Sequence, residues 1–529
     1  MKNLKKENTV PTIVSTKETT IRTKSKIVTV AELGKIVEEI RKSGRTVIQA
    51  HGTFDLVHLG HVKHLEAAKA HADVLVTTLT ADAYVNKGPN RPVFNEQLRA
   101  EMLAALEVVD YVAINHSLDA VPAIATIKAN FYAKGQDYIN PEGDVTGKIT
   151  EERKAIEAVG GEIVFTEEIM FSSTELINRN FNIYEPHLCN HLDVLRENNG
   201  LETLTQMIDS IKHMKVLLVG DAIIDDYYYV LPMAKAAKEN IIATRYQDRE
   251  EFAGGVFAAA NHVASFCAQV EIVTCMGDRD DYLDFVREHL KPNVKLTVIT
   301  RPDAPTTRKQ RFVDPGYMRK LFEVYYMDDE PLMRNLENEL NSVIASRINN
   351  YDVVIANDFG HGLIGRSTVE LLCSKARFLA TNTQSNSANI GYNLIHKYPR
   401  ADYVCIDAPE ARLAVTDKLS PIEDVISKYL PQKINCSKFI VTHGKHGCVT
   451  HERGGIVHTI PAITKSVVDT VGAGDAFLSV TAPLVASGAS LSQIGFIGNI
   501  VGALKVAIVG HQRAVDKVDV LKSIKALLK

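Results

Sequence analysis

The stretch Asp469-Thr470-Val471-Gly472-Ala473-Gly474-Asp475-Ala476-Phe477 decides the fold of the second half of the chain. It follows a β-rich run and opens an apolar segment, 478–487, that is typical of a buried helix. The glycines around Ala473 let the backbone approach a ligand closely, and several N–H groups then converge at a helix start, which favours an anion such as a phosphate. Asp475 stands where a base could take a proton from an attacking hydroxyl. A glycine-rich turn that binds nothing would look similar.

Length and composition limit the classes of protein to consider. The 529 residues predict two or three domains, and 45% hydrophobic with 23% charged residues is an ordinary soluble composition. A net charge of -4 argues against a nucleic-acid partner, whose binding surface would be basic. No apolar run approaches the roughly 20 residues of a membrane span, and the seven cysteines include no CxxC pair. We therefore expect a cytoplasmic protein without a membrane or nucleic-acid partner.

Four segments are predicted along the chain. Residues 1–26 are polar and rich in Lys and Thr, and because they lack an apolar stretch they predict a disordered tail rather than a signal peptide. Residues 27–180 form the first predicted domain, 181–212 a linker, and 213–529 the second domain. The boundary is placed in the linker because its first part is mixed and polar and ends in Asn198-Asn199-Gly200.

The first domain alternates between strands and helices. Helices are predicted at 30–42, 62–72, 96–107, 120–129 and 150–159, and strands at 46–50, 74–79, 111–114, 131–133 and 162–165. Alternation of this kind predicts a parallel, doubly wound α/β sheet.

Two histidines at a predicted helix start carry the chemistry of this domain. His58 and His61 are three residues apart, so their side chains share one face beside the unpaired N–H groups of the first turn. Gly60 would let a phosphate come close, and imidazoles placed there could stabilise charge that builds on a nucleotide phosphate. A histidine pair at this spacing also occurs by chance or as half of a metal site.

The surrounding sequence, Gly52-Thr53-Phe54-Asp55-x-x-His58-x-Gly60-His61, resembles the HxGH nucleotidyltransferase superfamily in its cytidylyltransferase-like branch. The resemblance implies a Rossmann-like domain in which these residues bind the nucleotide and the two histidines take part in catalysis. Close relatives usually carry Asn where this chain has His51. The resemblance also implies nucleotide contacts by Arg91, Arg99, Lys134, Gly135, Asp137, Ser172, Ser173 and Thr174. Arg99 could meet a phosphate with two parallel hydrogen bonds, and Ser172-x-x-Glu175 also reads as a capping box.

The second domain offers candidate sugar contacts after its first predicted strand, 215–219. Carboxylates at the carboxyl end of a strand lie where an open α/β sheet binds ligands, so Asp221 and Asp225 are candidate anchors for sugar hydroxyls. An Asx-capped turn is the alternative explanation.

A basic hairpin is predicted further along. Two β-like runs flank Pro315-Gly316 and predict a small β lid. Its cations, among them Lys309 and Arg311, could grip a phosphate already present on a substrate. They could equally form an ordinary solvated surface.

The nine residues from Asp469 to Phe477 together resemble the signature of the ribokinase (PfkB) carbohydrate-kinase family, an α/β fold with a small β lid. In that family the Asp that corresponds to Asp475 is the catalytic base, beside the turn formed here by Gly472, Ala473 and Gly474. The resemblance assigns the sugar to Gly254, Gly255 and Asn261, ATP to Thr442, Gly444, Gly447 and Asn499, and magnesium with phosphate to Asp407 and Glu410. Three positions depart from the family pattern: Ala258 and Asp407 replace Asn, and His361 replaces Lys.

Together the halves resemble bifunctional enzymes that phosphorylate a heptose phosphate at its anomeric carbon and then attach a nucleotide, but in reversed domain order. The resemblance implies Mg²⁺·ATP as phosphoryl donor, a second NTP (ATP or CTP) that yields an ADP- or CDP-heptose-like product and pyrophosphate, and a homodimer through the kinase domain. One alternative is a polyol- or alcohol-phosphate cytidylyltransferase fused to an unrelated sugar kinase. Another is a catalytically silent, nucleotide-binding regulatory protein.

Overall fold

The chain forms two compact units. The computed structural model describes residues 23–85, 91–136, 148–166, 184–236, 238–280, 282–328, 330–464 and 466–529. Within this described part the first unit ends at 166 and the second begins at 184.

The first unit is a parallel sheet with helices between its strands. Its elements are β1 Ile27–Val28, α1 Val30–Lys42, β2 Val47–Gly52, α2 Leu59–Ala70, β3 Val74–Thr80, α3 Glu96–Ala104, β4 Tyr111–Asn115, α4 Val121–Ile127, β5 Phe131–Gly135, α5 Lys148–Ala158 and β6 Glu162–Thr166. The strands lie in the order β1-β4-β3-β2-β5-β6, and every neighbouring pair is parallel. The predicted α/β fold class is confirmed.

Alternating side chains of these strands face opposite sides of the sheet. Ile48 of β2 packs with α2 and α3, whereas its neighbour Val47 packs with α1 and α4. Burial on both faces explains why the strands read as continuous apolar runs. The end of the segment predicted as a tail takes part as well, because Lys26 Nζ donates to the carbonyls of Leu106 (3.1 Å) and Val109 (2.7 Å).

The second unit contains two sheets. Its elements are α6 Pro186–Glu197, α7 Gly200–Ser210, β7 Lys215–Gly220, β8 Ala222–Lys235, β9 Ile242–Gly255, α8 Val256–Ala264, β10 Gln269–Gly277, α9 Leu283–His289, β11 Val294–Arg301, β12 Thr307–Asp314, β13 Arg319–Tyr326, α10 Arg334–Arg347, β14 Val353–Asp358, α11 Arg366–Lys375, β15 Leu379–Thr383, β16 Tyr403–Asp407, α12 Ala408–Val415, β17 Lys438–Thr442, β18 Cys448–Glu452, β19 Val457–Ile460, α13 Ala473–Ala486, α14 Leu491–Lys505 and α15 Lys517–Leu528. Short single turns between them are left unnumbered.

The large sheet has the order β11-β10-β7-β14-β15-β16-β17-β18-β19, parallel up to β17 and antiparallel beyond it. Leu218 of β7 faces a core that includes α13 and α14, and Leu217 faces a core that includes α10 and α11. With helices on both faces, this is the doubly wound arrangement expected for a ribokinase-like domain. Ligands bind at the carboxyl ends of the parallel strands in such sheets.

The small sheet has the order β13-β12-β8-β9. The predicted basic hairpin is its β12–β13 pair, which is antiparallel. The long strands β8 and β9 were not predicted from the sequence. β8 is rich in Ile and Tyr, which favour strands.

The segment predicted as a linker, 181–212, contains α6 and α7. Their apolar sides, which include Leu188, Leu192, Leu204 and Ile208, belong to the core of the second unit. The polar composition that suggested a linker describes only the exposed side of α6. The predicted limits of the two domains, at 180 and 213, stay predictions.

All seven cysteines lie in the described part of the chain and form no disulfide. No helix in that part is both long and apolar enough to cross a membrane.

Candidate active sites

The carboxyl edge of the large sheet is lined with polar side chains. Asp221 follows β7, Asp358 ends β14, Gln384 follows β15 and Asp407 ends β16. Adjacent parallel strands end side by side, so the sheet brings together residues that are distant in sequence. This edge and the nearby start of α13 form the candidate kinase site.

The helix α13 begins at the predicted anion-binding nest, which is the turn Gly472-Ala473-Gly474, and has no side-chain cap. Gly472 takes a left-handed conformation, with φ of +72°, and a side chain there would collide with the ring of His511. The N–H of Ala473 donates to the carbonyl of Thr470 at 3.3 Å, but no side chain caps the N–H groups of this first turn. The turn of Gly472, Ala473 and Gly474 therefore offers the anion-binding geometry that its sequence predicts.

Asp475 lies in the first turn of α13 with only 6% of its surface exposed. Gln384 donates its Nε2–H to Asp475 Oδ1 at 2.6 Å. Burial raises the pKa of Asp475 to about 6, while the nearby His511 and Lys309 act in the opposite direction. The carboxylate is therefore a stronger base than an exposed aspartate and still ionises near neutral pH.

Asp225 is paired with Arg311 and His511. Arg311 Nη1 contacts its Oδ1, and His511 Nε2 lies 3.2 Å from its Oδ2. Burial opposes ionisation, but Arg311 and His511 hold the pKa of Asp225 well below its usual range. Asp225 is therefore a fixed anion that orients Arg311 and His511.

The predicted glycine pair lies against the two aspartates. A side chain at Gly254 would collide with the carboxylate of Asp225, and one at Gly255 would lie 2.7 Å from the carbonyl oxygen of Asp221. The Asp221 carboxylate accepts the N–H groups of Phe359 (2.9 Å) and Leu363 (3.3 Å). Burial, with Asp358 nearby, raises the pKa of Asp221 to about 6. The structure thus brings four predicted sugar-site residues together.

Two further groups reach this cluster from the lid and from the loop after β14. Lys309 is buried, lies 5.3 Å from the ring centre of Tyr325, and has its pKa lowered by burial. His361 is 5% exposed, and neither ring nitrogen has a hydrogen-bond partner in the described part of the chain. Burial and the charge of Lys309 lower the pKa of His361 to about 3, so this imidazole is neutral.

Several groups of this site were missed from the sequence. His511 pairs with Asp225, and its ring occupies the space that a side chain at Gly472 or Gly254 would need, yet it follows α14 as a single histidine without a motif. Asp469 accepts hydrogen bonds from Tyr227 (2.7 Å) and Lys320 (2.8 Å), although it was noted only as the start of the signature. No local pattern in the sequence pointed to these long-range contacts.

Asn261 does not join the cluster. Its amide donates to the carbonyl of His289 (2.8 Å) and accepts from the N–H of Lys291 (2.9 Å). Both of its polar groups are therefore used to hold the end of α9, which corrects the expectation that its side chain points to the sugar.

The predicted metal pair forms a capping box at the start of α12. The Asp407 side chain accepts from Glu410 N–H at 2.8 Å, and the Glu410 side chain accepts from Asp407 N–H at 2.9 Å. Burial raises the pKa of both carboxyls, that of Glu410 to about 8. Two neighbouring carboxylates that disfavour each other's charge suit a hard divalent cation, which would keep both ionised. Within the described ranges, no three His, Cys, Asp or Glu side chains cluster as a complete metal site.

The predicted ATP residues lie on the next strands. Thr442 ends β17 directly beside Asp407 of β16. Gly444 and Gly447 both have positive φ, and a side chain at Gly447 would collide with the backbone of 460–462. Asn499 donates its amide to the carbonyls of Ile460 (3.1 Å) and Pro461 (3.0 Å). Gly447 and Asn499 thus hold the backbone of this region, and their part in binding ATP stays a prediction.

In the first unit, the two histidines lie side by side at the start of α2. Their ring centroids are 4.1 Å apart. His58 Nδ1 accepts the N–H of Gly60 at 3.1 Å, and His61 Nδ1 accepts the N–H of His58 at 3.5 Å. Because each Nδ1 is an acceptor, each neutral ring carries its proton on Nε2, where it can serve as a donor to phosphate oxygen.

The other residues of the motif support this helix start. Phe54 has φ of +49°, is buried, and packs its ring 5.2 Å from that of His61, beside Gly52. Asp55 is buried and accepts the Nε–H of Arg91 and the N–H of Val93 (2.7 Å). Asp55 thus fixes the backbone that carries Arg91.

Arg99 is a structural residue and not a phosphate ligand in this arrangement. It is fully buried, and its guanidinium donates to the carbonyls of Phe94 (2.9 Å), Thr53 and Thr80 (2.9 Å) and to Asp82. These contacts fix the motif loop, which corrects the expected bidentate phosphate contact.

Of the remaining nucleotide candidates, some lie in the described part of the chain and others lie outside it. Lys134, next to Gly135 at the end of β5, forms an ion pair of 2.7 Å with the buried Glu152. His51 lies within hydrogen-bond distance of Thr78 Oγ1 (2.9 Å) and Thr80 Oγ1 (3.3 Å). The candidates outside the described residues are Asp137, Ser172, Ser173 and Thr174.

Two family models match the chain. The model described as pfkB family carbohydrate kinase matches residues 214–517, and the model described as cytidylyltransferase-like matches residues 50–179. The nucleotidyltransferase-type domain therefore precedes the kinase-type domain, as expected from the two signatures.

Curated relatives match the N-terminal part of the chain. The bifunctional protein HldE of Syntrophotalea carbinolica is 38% identical over 164 residues, 30% of this chain and 32% of that protein. The HldE protein of Aliarcobacter butzleri is 38% identical over 171 residues, 32% of this chain and 33% of that protein. The match thus spans about a third of the length of these relatives.

Solved structures were also compared with the chain. A ribokinase from Arabidopsis thaliana complexed with ribose and ATP covers 60% of this chain and 99% of its own, with 16% identity and a TM-score of 0.45. The phosphofructokinase-2 from Escherichia coli in complex with fructose-6-phosphate covers 60% of this chain and 100% of its own, with 13% identity and a TM-score of 0.47.

Proposed function

The chain belongs to the pfkB family of carbohydrate kinases, and on that premise we propose that it is a bifunctional enzyme that makes a nucleotide-activated sugar. The second unit phosphorylates a sugar or sugar phosphate with ATP. The first unit transfers a nucleotidyl group from an NTP to the resulting sugar 1-phosphate and releases pyrophosphate.

In the kinase step, Asp475 accepts the proton of the sugar hydroxyl as its oxygen attacks the γ-phosphorus of ATP. The bond to the β–γ bridging oxygen breaks, and ADP leaves. The N–H groups at the uncapped start of α13 hold the oxygens of the transferring phosphoryl group. Asp221 and the neutral His361 suit contacts to sugar hydroxyls, and Lys309 suits a phosphate carried by the sugar.

Magnesium is the proposed metal of this step, held with ATP by Asp407 and Glu410. The ion supplies charge neutralisation for the phosphates when it is bound. The pKa of Glu410 is raised to about 8, and a bound cation would lower this pKa because it stabilises the carboxylate.

In the nucleotidyl step, a phosphate oxygen of the sugar 1-phosphate attacks the α-phosphorus of the second NTP. The bond to the pyrophosphate oxygen breaks. The Nε2–H groups of His58 and His61 suit hydrogen bonds to the phosphate oxygens on which negative charge builds. We propose a heptose phosphate as substrate, with ATP or CTP as the second nucleotide.

We also propose a homodimer through the small sheet. One face of this sheet carries Asp225, Lys309 and Arg311 toward the site, and by strand alternation the other face carries Tyr228, Phe312 and Phe322. The rings of Phe312 and Phe322 are stacked at 4.3 Å, and Phe322 is 51% exposed. Phe322→Glu should convert a sedimenting dimer to a monomer, and a monomeric wild type would refute this proposal.

The absence of disulfides favours a reducing, cytoplasmic compartment.

The observation that carries the kinase assignment is the buried Asp475 beside an uncapped helix start. The full chain would be supplied with Mg²⁺ and ATP, then Mg²⁺ with ATP or CTP, against a panel of sugars, sugar phosphates and polyol phosphates. ADP formation that depends on a sugar phosphate, followed by pyrophosphate release, is the expected result. Pyrophosphate release from an alcohol phosphate with no use of the kinase product would favour the fused cytidylyltransferase. The absence of both products would favour a silent regulatory protein.

A further inference from the structure

A buried lysine joins the two backbone segments that flank the nest. Lys505, the last residue of α14, is 0% exposed. Its Nζ donates to the carbonyl oxygens of Val471 and Gly510, at 2.7 Å each. Val471 directly precedes the Gly472 turn, and Gly510 directly precedes His511, so a single ammonium fixes both sides of the site.

The same two segments are joined a second time by Asp469. Its carboxylate accepts the N–H groups of Gly510 (2.9 Å) and Val471 (3.1 Å). Asp469 also receives Lys320 of the lid at 2.8 Å. The conformation of the nest therefore depends on two charged groups, the Asp469 carboxylate and the Lys505 ammonium, which both bind the backbone of Val471 and Gly510.

Lys505 has no carboxylate within 4.0 Å among the described residues. Its neighbours at longer range are Asp469, Asp475 and Asp225, while burial lowers its pKa to about 8. Burying an ammonium with carbonyl partners alone is costly. Carbonyl oxygens that converge on one point are also the ligands that bind a dehydrated monovalent cation in proteins.

We propose that Lys505 is a positioning residue whose ammonium acts as a built-in monovalent cation, and that it holds the Val471–Gly474 loop in its phosphate-binding form. This inference rests on the proposed kinase function of the same site. A consequence is that the kinase needs no added potassium or ammonium, because the chain carries the cation itself.

The first test uses the wild-type protein. Its sugar phosphorylation is measured in potassium, ammonium, sodium and tetramethylammonium chloride at equal ionic strength. Equal rates within about threefold are expected. A drop of tenfold or more in tetramethylammonium alone would show that a dissolved ion, and not Lys505, supplies the charge, and would overturn the proposal.

The second test removes the ammonium. Lys505→Met keeps most of the side-chain volume, and a loop displaced by about 1 Å should lower kcat about 100-fold while the KM for ATP changes little. Lys428→Met is the matched control, because Lys428 forms only a surface pair with Asp424 and should leave kcat unchanged. In Lys505→Ala, potassium or ammonium should raise the rate at least tenfold over tetramethylammonium. Full activity of Lys505→Met, or no response of Lys505→Ala to either ion, would overturn the proposal.

A third measurement does not require turnover. Hydrogen exchange of the peptide that covers 469–477 should be at least tenfold faster in Lys505→Met than in wild type, and should slow in Lys505→Ala when potassium is added. If the wild type phosphorylated no sugar, the proposed function would fail while this measurement would still decide the role of Lys505. If neither variant folded, the wild-type salt comparison would decide it: equal rates support the proposal, and a potassium requirement refutes it.

Discussion

The helix that starts at Leu59 and the helix that starts at Ala473 both face a candidate phosphate site, but they begin differently. The first is capped by its own histidines, because His58 and His61 accept backbone N–H groups through Nδ1. The second has no side-chain cap, and its turn passes through Gly472 with positive φ.

This difference separates two ways to bind a phosphate at a helix start. In the capped helix the side chains satisfy backbone N–H groups through a ring nitrogen. In the uncapped helix the backbone itself is presented, and a missing cap typically costs about 0.5–2 kcal/mol of stability. A bound anion would recover this stability, so the second site should be ordered more strongly by its ligand than the first.

The largest expected effect is at the uncapped site. Asp475→Asn keeps the volume and an acceptor for Gln384 but removes the base, so sugar phosphorylation should fall by about 10²- to 10⁴-fold. Nucleotidyl transfer from supplied sugar 1-phosphate should remain, as measured by pyrophosphate release. Asp284→Asn is the control, because Asp284 lies on the surface and pairs only with Arg287. Phosphorylation within tenfold of wild type would show that Asp475 is not the base.

A substitution at the capped site should lower the other activity, nucleotidyl transfer. His61→Ala removes one donor to the developing phosphate charge, so pyrophosphate release should fall by about 10²- to 10³-fold. Sugar phosphorylation should stay within a few-fold of wild type, and the exposed His116→Ala should change neither rate. A parallel loss of both activities in a folded variant would contradict two independent sites.

The lid provides a smaller effect on substrate choice. Lys309→Met should raise the KM for a phosphorylated sugar about 10- to 100-fold, since it removes a charged contact, and the KM for ATP should change far less. Lys309 is a cleaner test than Arg311, because loss of Arg311 would leave Asp225 buried without its main partner. A wild type that prefers unphosphorylated sugars would remove the basis of this prediction.

The smallest effect is a pH dependence of the uncapped site. Because burial raises the pKa of Asp475 to about 6, the inactive protonated form accumulates as the pH falls through that value. The kcat/KM for sugar phosphorylation should be constant above pH 7 and fall about tenfold per unit well below pH 6. Asp221 titrates in the same range, so the decisive comparison is Asp475→Asn, in which the contribution of Asp475 to this acidic limb should disappear.

The periodic parts of the chain could be predicted from sequence alone. Alternation of strands and helices predicted the doubly wound fold of the first unit, whereas the fold of the second was implied by its resemblance to the ribokinase family. The nest of Gly472 to Gly474 was recognised because its glycines and its aspartate are contiguous. The hairpin of β12 and β13 was also predicted, since Pro315-Gly316 marks its turn. Local chemistry was sufficient in each case.

The remaining features depend on long-range contacts. His511, Lys505 and Asp469 meet at the site only after the fold forms. His511 and Lys505 carry no local pattern, and the signature that begins at Asp469 does not show its long-range partners. Arg99 and Asn261 show the opposite case. Their side chains are of a type that often binds ligands, but the side-chain N–H groups donate to backbone carbonyls instead. A sequence shows which side chains could bind, but not which of them the backbone already uses.

The helix pair α6 and α7 has a consequence for how the gene could be divided. A coding fragment that starts at residue 214, where the family match begins, would omit Leu188, Leu192, Leu204 and Ile208 from the kinase core. Each fully buried side chain of this kind contributes about 1.5–3 kcal/mol, so that fragment should not yield a stable enzyme. The unit that folds as the kinase therefore extends upstream of the family match and includes this helix pair.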